Sequence, residues 1–239
     1  MKSQAAFEFL TVVAIGLIII AASSMFGMNY LTSYSQDINS LNAERFVKSV
    51  TSFANLVYSQ GVGASIQLKV TVPDDVSIYR TYIYKNKIGM RLVPDSPADV
   101  SSEAATNMYG TIPIFPGHAT LFLKMKEDGV HIYVDSVDLA YMGTKVFNDS
   151  SYSNEDYDFS VGETAYYSVA LTDLQDNPKD SNLVIRIYNP TGTIVSEGTY
   201  SSSSGFYNSS VVLSDPGFWQ ITAESASGNL LSSVLVKAV

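Results

Sequence analysis

The chain has 239 residues and no cysteine, so no disulfide framework, thiolate metal site or cysteine nucleophile is open to it. Its formal net charge is −9, and its few basic residues form no block, which excludes the basic face that nucleic-acid binding needs. Up to Gly61 the charges cancel, Lys2, Arg45 and Lys48 against Glu8, Asp37 and Glu44, so the acidic excess belongs to the stretch from Val62 onward.

From Phe9 to Gln36 there is no Asp, Glu, Lys or Arg. A helix needs ~20 apolar residues to cross the hydrocarbon core of a bilayer at about 1.5 Å per residue, and Phe9 to Leu31 supplies them. A cleavable secretory signal could exit at Ala21-Ala22-Ser23, and a plain anchor needs only the length. Neither needs Glu8, a carboxylate at the mouth of the apolar run. The n-region of a secretory signal is positive, and an anchor merely tolerates an acid at headgroup level.

Around Glu8 the sequence reads Lys2-Ser3-Gln4-Ala5-Ala6-Phe7-Glu8-Phe9. It resembles the archaeal prepilins with a class III signal peptide, whose pattern is Lys-Gly, the cut, then Gln-x-Ser-x-Glu-Phe. Lys2, Gln4, Glu8 and Phe9 match, while Ser3 stands for the usual Gly and Ala6 for the usual Ser. The resemblance covers roughly the first thirty residues. It implies a leader of residues 1–3 removed between Ser3 and Gln4, and a helix over 4–61 that waits in the membrane and then enters a filament core. It implies that Glu8 pairs with the Gln4 amine of a neighbouring copy, with Phe9 beside it in the assembly motif. The implied partners are a prepilin peptidase, an assembly ATPase, a polytopic platform protein and further copies of the chain, with the filament at the cell surface.

Beyond the apolar run, Ala43, Phe46, Val47, Val50, Phe53, Ala54 and Val57 recur at three- and four-residue spacing and form one apolar stripe. Gly61 and Gly63 supply a helix stop. The period then becomes two: Ala64, Ile66, Leu68, Val70 and Val72 alternate with polar residues until Pro73-Asp74-Asp75. Lys85-Asn86-Lys87 joins one expected hairpin and Asp128-Gly129 another. Pro94 to Gly110 reads as a polar loop. Residues 62–138 are expected as an antiparallel β domain and the acidic, Ser- and Asn-rich 139–158 as a linker. Over 159–239, short strands separated by Asn189-Pro190-Thr191-Gly192, Ser214-Asp215-Pro216-Gly217 and Gly228-Asn229 predict an immunoglobulin-like β-sandwich with Trp219 in its core.

The expected fold is therefore α+β, a long hydrophobic helix followed by two β-rich head domains. Candidate chemistry is sparse. His118 and His131 fit neither a helical zinc pair nor a triad, and no nucleophile elbow, phosphate loop or metalloprotease pair is present. Asn154-Glu155-Asp156 with Asp158, and Asp173 with Asp176 and Asp180, read as solvated turns rather than calcium loops. Asn148-Asp149-Ser150 and Asn208-Ser209-Ser210 are sequons for N-glycosylation. No enzyme, metal or cofactor is expected. The function expected is a structural filament subunit, with a membrane-anchored surface binding protein bearing an immunoglobulin-like ectodomain as the alternative.

Overall fold

A computed structural model describes residues 2–93, 99–136 and 139–239, with side chains from Leu10 onward apart from Thr32. One long helix, α1 (Lys2–Gln60), is followed by a β-rich region of several sheets. The chain divides into two compact units, Met1–Asn39 and Ser40–Val239.

The first unit is helical and leaves its apolar side chains outside: Leu10, Ile18 and Phe26 are 69%, 67% and 76% exposed. A helix with apolar residues all round has no polar face to turn to water, which is the pattern of a span or a bundle core. The segment is long and apolar enough to cross a membrane. Gly16 and Gly27 have open space where a Cβ would stand, so among the described residues no contact requires glycine at either position.

The second unit begins with the last turns of α1. Here the stripe is buried: Phe46 is 2% exposed, and Ala43, Val47, Val50, Ala54 and Val57 are fully covered. These side chains join the same hydrophobic cluster as the strands. Thr51 Oγ1 lies 2.8 Å from Ser102 Oγ, and Asn55 Oδ1 accepts from the Ala105 N–H at 2.6 Å, so polar contacts fix the helix on the same side. The helix stops where Gly61 (φ 87°) and Gly63 (φ 91°) take left-handed backbone that a Cβ would resist.

Up to Val134 the described residues form β1 (Ser65–Val72), β2 (Val76–Tyr84), β3 (Lys87–Leu92), β4 (Asp99–Glu103), β5 (Met108–Gly110), β6 (Ile112–Pro113), β7 (Gly117–Lys126) and β8 (Gly129–Val134). One sheet has the order β1-β7-β8-β5 and another β2-β3-β4. Both expected hairpins form. Tyr84 faces Lys87 across Lys85-Asn86, and Lys126 faces Gly129 across Glu127-Asp128. Gly129 (φ 146°) is required, since a Cβ would stand 2.4 Å from the Asn107 carbonyl.

Then come β9 (Tyr141–Phe147), β10 (Asp158–Phe159), β11 (Thr164–Thr172), β12 (Asn182–Tyr188), β13 (Ile194–Ser201), β14 (Phe206–Val212), β15 (Gly217–Ser225) and β16 (Leu230–Ala238). Strands β14-β11-β9 form one sheet, and β10-β16-β15-β12-β13 another with β6 paired to β16. The buried faces of both sheets feed the one hydrophobic cluster.

Three expectations are corrected. Between Pro94 and Gly110, residues 94–98 lie outside the described residues, but β4 and β5 follow. The stretch 139–158 is not merely a linker: it carries β9, which pairs with β11 from Thr172↔Tyr141 to Tyr166↔Phe147. The division between 62–138 and 159–239 is also crossed, because Ile112 and Pro113 pair with Leu231 and Leu230 and a common core runs through both.

Candidate functional site

The residues nominated from the sequence fall in two places. Ser3, Gln4, Glu8 and Phe9 lie on helical backbone at the start of α1, and their side chains are outside the described residues. Immediately after them the exposed apolar surface begins at Leu10 and continues through Leu31. Asn148 and Asn208 are both exposed, the first in a turn where its Oδ1 accepts from Asn154 Nδ2 at 2.9 Å, the second on β14 at the open side of its sheet.

The acidic runs are tied into their own turns. Asp149 accepts from the hydroxyl of Ser151 and the backbone N–H groups of Ser153 and Asn154, and these hydrogen bonds, the Ser151 hydroxyl first, hold its carboxyl down to about 2. Asp173 accepts from Asn177 and the Gln175 N–H in the same manner, and its pKa is likewise lowered. Among the described residues no group of three or more His, Asp or Glu is gathered for a metal.

A polar cluster that no spacing in the sequence marks surrounds His131. The imidazole is 6% exposed and sits between Tyr109 (ring centroids 5.4 Å) and Tyr141 (5.2 Å, stacked). Its Nε2 donates to Asp128 Oδ1 at 2.8 Å, as it must toward an ionised carboxylate, while Nδ1 has no hydrogen-bond partner among the described residues. Lys145 of β9 reaches Asp128 at 2.6 Å and Glu155 at 3.1 Å, with its ammonium 4.2 Å from the Tyr109 ring centre. Glu155 also accepts from Tyr109 at 2.9 Å and Tyr157 at 2.7 Å. Nearby, Tyr133 donates to Asp176, which Lys126 meets at 2.9 Å.

Burial pushes the Asp128 carboxyl up, but the hydrogen bonds from His131 and Lys145 together outweigh it and hold the group well below the carboxylate range. Burial first, then Glu155, drives Tyr109 up, and burial with Asp176 does the same to Tyr133. These phenols stay neutral donors. The cluster has no open nucleophile; it is a seam that binds the β7–β8 turn to β9 and to the loop after β11. Asp128→Asn should therefore cost about 1–2 kcal/mol near neutral pH, after discounting for the solvent that reaches this carboxylate. Because the folded pKa is depressed, that stabilisation is present above the unfolded value of about 4 and lost as pH falls toward the folded one. Melting curves of the two proteins should thus converge on acidification.

No protein-family model matches the chain, and no curated protein matches it. Among solved structures it is similar to a beta-glucuronidase from glycoside hydrolase family 2, with 13% identity and a TM-score of 0.33, over 74% of this chain and 19% of that one. A likeness at that level transfers neither fold nor activity.

Proposed function

We propose that this chain is a structural subunit of an archaeal type IV pilus-like surface filament, assembled through α1. The observation that carries the proposal is the contrast along one helix. Its 43–57 stripe is buried by the chain itself, whereas the segment from Leu10 to Leu31 is apolar on every side and exposed. That second segment needs lipid or other helices around it. Glu8 at its mouth, with Lys2, Gln4 and Phe9, favours helices of further copies over lipid alone. Gly16 and Gly27 add to this, since each costs about 1 kcal/mol in a helix and small residues let helices approach closely.

In this reading residues 1–3 are a leader cut by a prepilin peptidase. The monomer rests in the membrane, and an ATPase and platform protein feed it into the filament. The β region stands outside, where Asn148 and Asn208 are accessible to glycosylation. The strand order supports an immunoglobulin-like sandwich from β9 onward: β14-β11-β9 forms one layer and β16-β15-β12-β13 the other. Trp219 is 2% exposed within it, its indole N–H donating to the Asp215 carbonyl at 2.9 Å. The role is structural rather than catalytic.

Filaments sheared from the surface of native cells should contain this chain. Recovery from the membrane fraction alone would favour the anchored surface binding protein.

A further inference from the structure

Strand β2 does not run straight. Its pairing with β3 shifts register between Ser77 and Tyr82, and Arg80 in between has φ 66°. A non-glycine residue keeps left-handed backbone only where its surroundings over-determine it. Here they do. Gln220 of β15, 2% exposed, accepts from the Arg80 N–H at 2.7 Å and donates to the carbonyls of Ile78 and Thr81 at 3.1 and 3.0 Å. Bulges held in this way re-aim side chains and are enriched beside sites. This one delivers Arg80 to a groove of about 670 Å³, a volume within the range of ligand sites.

One face of the β2-β3-β4 sheet lines the groove in two cross-strand rows, Tyr82–Gly89–Ser101 and Tyr84–Lys87–Glu103. Gly89 keeps it open, because a Cβ there would lie 2.6 Å from the Tyr82 ring and force that ring off the sheet. Phe218 of β15, 50% exposed, meets Tyr84 edge to face at 6.0 Å and adds a second aromatic surface. The charges come in pairs: Arg80 with Asp99 at 3.2 Å, Lys87 with Glu103 at 3.8 Å, and Lys85 of the lining with Asp158 beyond it at 2.8 Å, all six side chains substantially solvated.

Paired charges are a poor trap for phosphate, which wants uncompensated cations, and their presence is a poor welcome for a wholly apolar ligand. Interleaved donors and acceptors around aromatic faces suit a molecule whose hydroxyls both donate and accept and whose ring face is lined with C–H. We infer that this groove binds an oligosaccharide, sugar rings lying on Tyr84 and Phe218 with hydroxyls on Arg80, Asp99 and Glu103. An extended peptide would instead add to the open edge of β4 and leave the aromatic faces unused. The site owes nothing to filament assembly.

The test is calorimetry on the full chain in a zwitterionic detergent free of sugar headgroups. The probes are cellotetraose, chitotetraose, mannotetraose and tetragalacturonate, with an unrelated extended octapeptide as rival. At least one sugar should bind with a Kd of about 1 mM or tighter, and Phe218→Ala and Glu103→Ala should each weaken it about tenfold. Both variants should keep the wild-type circular dichroism spectrum, and Tyr200→Ala, on β13, should bind as wild type. Silence with all four sugars, affinity unchanged in both groove variants, a loss shared by Tyr200→Ala, or preference for the peptide would each overturn the inference.

Discussion

Glu8→Ala is expected to abolish surface filaments while leaving processed monomer in the membrane. An ionised carboxylate inside an apolar assembly costs several kcal/mol unless a partner meets it, so in the proposed filament a wild-type subunit would be driven to bring Glu8 to the Gln4 amine of a neighbour. Alanine removes the cost together with the pairing. On that reading membrane insertion should survive, since it would rest on the run from Leu10 to Leu31, and so should leader removal, which would rest on Lys2, Ser3 and Gln4. On the proposed reading, what would be lost is the contact that sets register between copies whose apolar burial would be similar in lipid and in the bundle. Glu8→Gln keeps the shape and part of the hydrogen bonding and should give an intermediate filament count. The readout is electron microscopy of the cell surface beside a blot of the membrane fraction. Filaments at wild-type abundance in the alanine variant would reduce Glu8 to an interfacial residue.

The second large effect concerns the other end of the helix. A fragment from Ser40 to Val239 should be soluble, monomeric and cooperatively folded, whereas one beginning at Val62 should aggregate. The β pattern and the charge distribution of the sequence point to Val62 as a sufficient starting point, but the buried stripe says otherwise. Removing residues 40–61 strips Phe46, Val47, Val50, Ala54 and Val57 from the core and bares the apolar surface they cover. Within the longer fragment, Phe46→Ala alone should cost about 3–5 kcal/mol, against a total stability of about 5–15 for a domain. Thermal melts followed by circular dichroism measure both claims. A well-folded fragment starting at Val62 would mean that the stripe only rests on the β region.

Where local chemistry alone decides structure, the sequence was a good guide. Gly61 and Gly63 end the helix, Leu68, Val70 and Val72 alternate inward along β1, and Asp128-Gly129 closes β7 onto β8. It was a poor guide where a strand's character depends on its neighbours. Strand β9 is covered on both faces, so Tyr141 to Phe147 shows no period of two and sits unmarked beside an acidic break. Strand β4 lies at a sheet edge with a single apolar residue, Val100, so it reads as loop.

The same holds for the sites. Glu8 stands out in the sequence because a lone carboxylate beside an apolar run has few uses. The His131 cluster is assembled from residues as far apart as Tyr109 and Glu155, and the groove from Arg80, Glu103 and Phe218. Neither has a spacing that a motif could capture. The bulge at Arg80 depends on Gln220, 140 residues later, and no local signal in β2 announces it.

The intact mass of this chain in filaments sheared from native cells tests the proposed filament role most directly. The chain should be present there and begin at Gln4, lighter by Met1 to Ser3. A chain that keeps Met1 to Ser3, or begins near Ser24, or is missing from the filaments and confined to membranes, would contradict it.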